Sequence, residues 1–303
     1  MRNQYIDICG ISDQELHDNL ETELYELADI KEVTYEDVCA KLQEYYDGYH
    51  FTHNSIGMYN PFSLLNTFKY KEFGSYWFET GTPTYLVELL KKHHYDLRRM
   101  AHEETSAAVL NSIDSASDNP IPVIYQSGYL TIKGYDQEFG IYSLGFPNRE
   151  VEEGFIEFLL PFYANTNPVE APFEIQKFVR EVRAGDYESF FRRLKSFFAD
   201  TPYEQIRDLE LHYQNVLFIV FKLIGFCVKA EYCTSEGRID LVVQTDKFIY
   251  VMEFKFNSTA EEALKQIDEK HYALPFETDE RKLFRIGVNF DAKMRNIEKW
   301  IVE

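Results

Sequence analysis

Residues 238–256, RIDLVVQ then TDK then FIYVMEFKF, constrain the fold more than any other part of the chain. Two runs of β-branched and aromatic residues flank Thr245, Asp246 and Lys247, a pattern that predicts strand, turn and strand. If Asp246 and Lys247 form a two-residue turn, Thr245 faces Phe248 and every facing pair of residue numbers sums to 493. Asp240 then lies opposite Glu253, with Cβ atoms about 4.5–5.5 Å apart. Alternation along the strand puts Lys255 on the same face, with Arg238 opposite it. Charges on one face of an otherwise apolar sheet are costly unless they pair or bind a metal.

Two carboxylates at that separation repel one another and suit a hard divalent cation, which prefers oxygen ligands. The expected cofactor is Mg²⁺ or Mn²⁺ on Asp240 and Glu253, with the Phe254 carbonyl as a further ligand. Such an ion polarises a phosphate and lowers the pKa of a bound water. Lys255 would orient or deprotonate that water, or neutralise charge developing on phosphorus. Spacing alone also allows a plain Glu253–Lys255 ion pair on a solvated strand face, with Asp240 a turn residue.

The residues around this pattern narrow the choice. GRIDLVV (237–243), YVMEFKF (250–256), AEEALKQIDEKHY (260–272) and IGVNF (286–290) together resemble the PD-(D/E)XK nuclease superfamily. More closely, they resemble the nuclease-like domain that ends a bacterial AAA-ATPase-like family. In the superfamily, D…(D/E)xK residues on adjacent strands of an α/β core bind Mg²⁺ and cleave phosphodiesters. The resemblance implies that Asp240, Glu253 and Lys255 are catalytic, with Gln266 supporting them from the following helix. It offers Glu210 as an extra metal ligand, with His212 and Gln214 as rivals for that place. Arg238 and Lys270 are candidates for contacting substrate phosphate.

The resemblance extends to the first half, through YYDGYHF (45–51), YNPFSLLN (59–66), YWFETGTP (76–83), SGYLTIKGY (127–135) and GFPNREVEEGF (145–155). These look like the C-terminal part of the ATPase-like region. The phosphate-cradling GxxxxGK[ST] is absent and no Gly-Lys pair occurs, so no ATP hydrolysis is expected of this chain.

Helix signals fill the remainder. Ser12 to Glu15 is a capping box, and Leu16, Leu20, Leu24 and Leu27 follow at helical spacing. Thr34 begins a helix with Val38, Leu42 and Tyr45 or Tyr46 on its apolar stripe, and Gly48 is its expected stop. Pro61 opens another helix, and residues 85–92 form the next. Residues 125–135 and 141–144 predict a β-hairpin around the turn-like DQEFG. Helices before a hairpin suggest a winged-helix-like module. Asn148 caps a helix to about Tyr163, and residues 165–172 read as a linker. Helices are then expected over 173–184, 187–199 and 205–224, the last with a second half apolar nearly all round. The expected fold is α+β overall. Residues 1–165 form a mainly helical, winged-helix-like part, and residues 166–303 form a PD-(D/E)XK-like α/β/α domain with a central mixed sheet.

Charge bears on partners. The net charge is −20, from 31 basic and 51 acidic residues, which argues against coating nucleic acid by bulk electrostatics. From Phe226 onward there are 12 Lys/Arg against 15 Asp/Glu, so the acidity belongs mostly to the helical part. That part would face a protein partner or an ATPase core, and oligomer formation stays open. The nuclease-like segment would meet nucleic acid, DNA in preference to RNA. The most apolar stretch, residues 216–228, is too short to cross a bilayer, and the opening residues carry no signal-peptide core, so a cytoplasmic protein without membrane partners is expected. Cys9, Cys39, Cys227 and Cys233 form no CxxC pair and read as reduced, buried thiols. His50 and His53 lack a supporting acid or cysteine pair and read as a surface loop.

Overall fold

A computed structural model describes residues 9–80, 83–110, 112, 119–164, 166–199, 208–235, 238–256, 258–291 and 293–303, with backbone alone at 79–80 and 231–240. The chain divides into two compact units, one ending at Phe155 and the other beginning at Ile156.

The first unit starts with α1 (Asp13–Asn19), α2 (Glu21–Lys31), α3 (Tyr35–Tyr46) and α4 (Pro61–Tyr70). Ser12 and Thr34 each accept from a backbone N–H three residues on, while Glu15 and Asp37 reach back, so both capping boxes form. The expected leucine run is split: Leu20 closes α1 and precedes α2. Leu16, Leu24, Leu27, Val38, Leu42, Tyr46, Leu64 and Phe68 converge on one buried core. Next come α5 (Thr84–Lys92), β1 (Glu103–Ser106), α6 (Ala107–Leu110), α7 (Ile121–Gln126), β2 (Thr131–Asp136), β3 (Ile141–Gly145) and α8 (Arg149–Tyr163), which runs across the unit boundary.

The hairpin starts later than the pattern predicts. Residues 125 and 126 end α7, Gly128 takes φ +79°, and the strand opens only at Thr131. A third strand, β1, joins it in an antiparallel sheet of order β1-β3-β2. The sequence motifs of this unit are joined by buried polar contacts. Glu150, 1% exposed, accepts from Ser63 Oγ and from the Trp77 backbone N–H, each at 2.9 Å. Gly48 sits at φ +109°, where a Cβ would lie 2.2 Å from the Pro147 carbonyl, so only glycine fits. Trp77 packs on Tyr129 at 4.6 Å and His53 on Tyr135 at 4.5 Å.

The second unit adds α9 (Ala171–Ala184), α10 (Tyr187–Ala199), α11 (Leu209–Gly225), β4 (Lys229–Ser235), β5 (Arg238–Gln244), β6 (Phe248–Phe256), α12 (Ala260–Glu269), β7 (Lys282–Asp291) and β8 (Asn296–Val302). Asn165, Gln205 and Gly237, expected to lie at a linker, a helix start and a strand start, fall outside the described residues. Gly185 ends α9 at φ +79°. Asp186 then caps α10 by accepting from Ser189 N at 3.0 Å.

The strands form one mixed sheet, β4-β5-β6-β7-β8, antiparallel except for the β6–β7 pair, which α12 connects. Side chains alternate between two covered faces. One face presents Tyr250, Phe254, Phe256, Phe284 and Phe290 to α9, α10 and α11, through Val182, Tyr187, Phe198, Tyr213 and Phe221. The other presents Ile249 and Val251 to Leu264 and Ile267 of α12. Two helical layers on a buried sheet explain why β6 reads almost continuously apolar. Among the described residues no helix is long and apolar enough to cross a membrane. The cysteines depart from expectation. Cys9 and Cys227 are exposed, the latter in the short turn between α11 and β4, Cys39 is half-buried, and the Cys233 side chain is outside the described residues.

Candidate active site

The β5–β6 hairpin has the predicted register. Thr245 N donates to Phe248 O at 2.8 Å, and the pairs run from Gln244↔Ile249 to Ile239↔Phe254, with Asp240 opposite Glu253. This places the Asp240 backbone across from Glu253, while its side chain lies outside the described residues. The described β5–β6 pairs reach Ile239↔Phe254, and the Arg238 side chain lies outside the described residues. On the other edge of β5 its backbone pairs with Ser235 of β4.

Glu253 is completely buried. Its Oε1 accepts from Gln266 Nε2 at 2.6 Å and lies 3.1 Å from Lys255 Nζ. Lys255 Nζ also donates to Gln266 Oε1. The three side chains close a ring in which the amide gives its donor to the carboxylate and its acceptor to the ammonium. The opposite amide orientation would set oxygen against oxygen and nitrogen against nitrogen.

Several sequence features build this ring. Strand alternation puts Glu253 and Lys255 on the α12 face. Thr259 caps α12 by accepting from Glu262 N at 3.1 Å. Ala263, Leu264 and Ile267 bury one stripe of the helix and turn the half-buried Gln266 towards the sheet. Gly287 lets the helix approach, since a Cβ there would lie 2.2 Å from the Ala260 carbonyl and 2.6 Å from Leu264 N. In register, Gly287 lies beside Glu253 and Asn289 beside Lys255.

The remaining candidates are placed less closely. Glu210 is exposed in the first turn of α11, where its Oε1 accepts from Gln214 Nε2 at 3.3 Å. Lys270 is exposed at the C-terminal cap of α12. His212 stacks on Tyr163 at 6.4 Å. Among the described residues, which do not include the Asp240 side chain, no three His, Cys, Asp or Glu side chains gather as a metal cluster. The donor chemistry nevertheless fits a hard divalent cation. A buried carboxylate that already holds an ammonium lies opposite a second acidic position and beside the Phe254 carbonyl. Sequence reasoning passed over Asn289, 4% exposed. Its one signal is a lone amide in the apolar run IGVNF.

Residues 208–300 match the family model described as the PD-(D/E)XK nuclease superfamily. With its mixed five-stranded sheet, this segment is a PD-(D/E)XK-like domain, and it contains every candidate site residue named above. Nucleases of that superfamily generally use divalent metals. The chain is also 32% identical over 273 residues to the "Uncharacterized protein in vnfD 5'region" of Azotobacter chroococcum mcd 1, an alignment covering 87% of this chain and 52% of that protein. The chain thus spans about half the length of this curated relative. No solved structure matches it.

Proposed function

We propose that the chain is a divalent-metal-dependent, nuclease-like phosphodiesterase that hydrolyses nucleic acid, DNA in preference to RNA. The observation that carries this reading is the buried Glu253–Gln266–Lys255 ring facing the Asp240 position. Asp240, Glu253 and the Phe254 carbonyl would hold Mg²⁺ or Mn²⁺, with Glu210 as an outer candidate. When bound, the ion would supply Lewis-acid activation of the phosphate and of a water. Gln266 fixes the Glu253 carboxylate and holds the Lys255 amine beside it. Lys255, only 18% exposed, is placed to meet the attacking water or a phosphate oxygen in a largely dry site. Arg238 and Lys270 are the proposed phosphate contacts outside the ring.

The test is cleavage of single- and double-stranded DNA and of RNA by purified protein with Mg²⁺ or Mn²⁺. Asp240→Asn, Glu253→Gln and Lys255→Ala should each abolish cleavage while the far-UV circular dichroism stays that of the wild type. No cleavage and no metal binding by the wild type would overturn the proposal. Equal cleavage by all three variants would assign the activity to a contaminant.

One observation favours a second reading. The residues before Phe226 carry 36 acidic against 19 basic side chains. On this reading the chain is a regulatory or protein-interaction module of an ATPase–nuclease system. Residues 1–165, winged-helix-like and similar to the end of an AAA-ATPase-like region, would dock a protein partner. Catalysis by the isolated chain would discriminate against it.

A further inference from the structure

Asn289 belongs to none of the roles above, yet its surroundings are unusual for a strand residue. It is 4% exposed and lies beside Lys255 in the parallel β6–β7 register. Residues paired in register share a face of the sheet, so Asn289 projects on the side that carries Glu253, Lys255 and Gln266. A break in the β7–β8 register after Asn289 leaves Glu298 as an extra residue of β8. Asn289 Nδ2 donates to Glu298 Oε2 at 2.6 Å. A carboxylate accepts only, so this bond fixes which end of the amide faces β8. The other end of the amide is Oδ1. It is buried and has no hydrogen-bond partner among the described residues. A buried carbonyl oxygen left unsatisfied costs free energy, so Oδ1 is a ready acceptor for a donor brought within its reach.

Two basic residues flank Asn289 in the register, Lys255 on β6 and Lys299 on β8. Lys299 is engaged by Glu261 of α12. Lys255 is engaged by Glu253, the carboxylate that the proposed function assigns to a metal. We propose that Asn289 Oδ1 is the acceptor that receives the Lys255 ammonium once Glu253 carries a divalent cation, which makes Asn289 a positioning residue for the lysine. This inference rests on the proposed function. The reason is electrostatic: an ammonium and a divalent cation repel when they share one carboxylate, and the lysine needs a second acceptor within its swing. Gln266 Oε1 supplies one and Asn289 Oδ1 the other, so the amine is held between α12 and β7.

The deciding experiment is a crystal structure of the full chain grown with and without Mg²⁺, joined to kinetics of variants. With Mg²⁺ on Glu253, Lys255 Nζ should lie about 2.7–3.2 Å from Asn289 Oδ1. Asn289→Leu should lower kcat roughly ten- to hundredfold, the range for a hydrogen bond to a charged group, with KM and calorimetric Mg²⁺ affinity unchanged. Pairing Asn289→Asp with Glu298→Gln exchanges donor and acceptor in their mutual bond and keeps an oxygen at the Oδ1 position, so it should restore turnover. Mg²⁺ bound at Glu253 with Oδ1 on water or still unpartnered would overturn the inference and leave the proposed function standing. So would loss of Mg²⁺ affinity in Asn289→Leu, which would make Asn289 part of the metal site. Failure of Mg²⁺ to bind at Glu253 in the wild type would overturn both.

Discussion

Lys255→Met removes the ammonium from a carboxylate with no solvent exposure. Gln266 still donates to Glu253, but a neutral amide does not replace the positive charge of the ammonium. Breaking a buried pair from one side typically costs about 3–5 kcal/mol, and that loss is expected in urea unfolding of the metal-free variant. On the proposed function, Mg²⁺ should recover more stability in this variant than in the wild type, because the ion becomes the cation nearest Glu253. Equal Mg²⁺ effects on both proteins would argue that Glu253 takes no part in metal binding. Gly287→Ala tests a neighbouring contact. Its Cβ meets the backbone of α12, which cannot turn aside as a side chain can. Unfolding should show a loss of about 1–3 kcal/mol from overpacking. Activity should fall as well, since Gln266 is carried on the displaced helix.

At the scale of elements, the β5–β6 hairpin was the most legible part of the chain. A two-residue turn leaves one register, so the facing of Asp240 and Glu253 followed from arithmetic. The approach of Gln266 to both Glu253 and Lys255 needed the three-dimensional crossover of α12, and only the family resemblance suggested it. β1, with the sequence EETS, has no apolar alternation to announce it and exists through its pairing with β3. Asn289 was hidden because period-two patterning marks which residues are buried but not whether their polar atoms are satisfied. The turn itself is clamped from the loop before β7. Arg281 donates to Thr245 O and Gln244 Oε1, each at 3.0 Å, and to Asp279 at 2.7 Å. The Arg281 side-chain bond, and then its backbone N–H, hold the Asp279 carboxyl at about 2, below its ordinary 3.8. A carboxyl lowered by folding adds stability that is present above about 4 and is lost as pH falls towards 2. Thermal unfolding followed from pH 5 to pH 2 should therefore lose part of its slope in Asp279→Asn. An unchanged slope would mean that the clamp does not form in solution.

For the whole molecule, the −20 charge constrains how nucleic acid could be held. The last 78 residues hold 12 basic and 15 acidic side chains, so the segment bearing the ring is close to neutral while the rest repels polyanions. Several of its basic groups are already paired: Arg281 with Asp279, Arg285 with Asp268 and Glu303, Lys299 with Glu261, and Lys255 with Glu253. The other basic groups share the segment with 15 acidic side chains, so its net charge of −3 gives little drive to displace counterions from a phosphate backbone. Each phosphate neutralised on duplex DNA contributes a slope of about −0.9 to log K against log salt. With Glu253→Gln to prevent cleavage, duplex binding measured by fluorescence anisotropy across a salt series should therefore give a slope shallower than about −3. A slope near −6 or steeper would require a basic tract that the sequence does not contain, and would point to binding by an oligomer that pools the basic groups of several chains. A shallow slope combined with metal-dependent cleavage would mean that the substrate is gripped mainly at the reacting phosphate, so that affinity and catalysis depend on the same few side chains around Glu253.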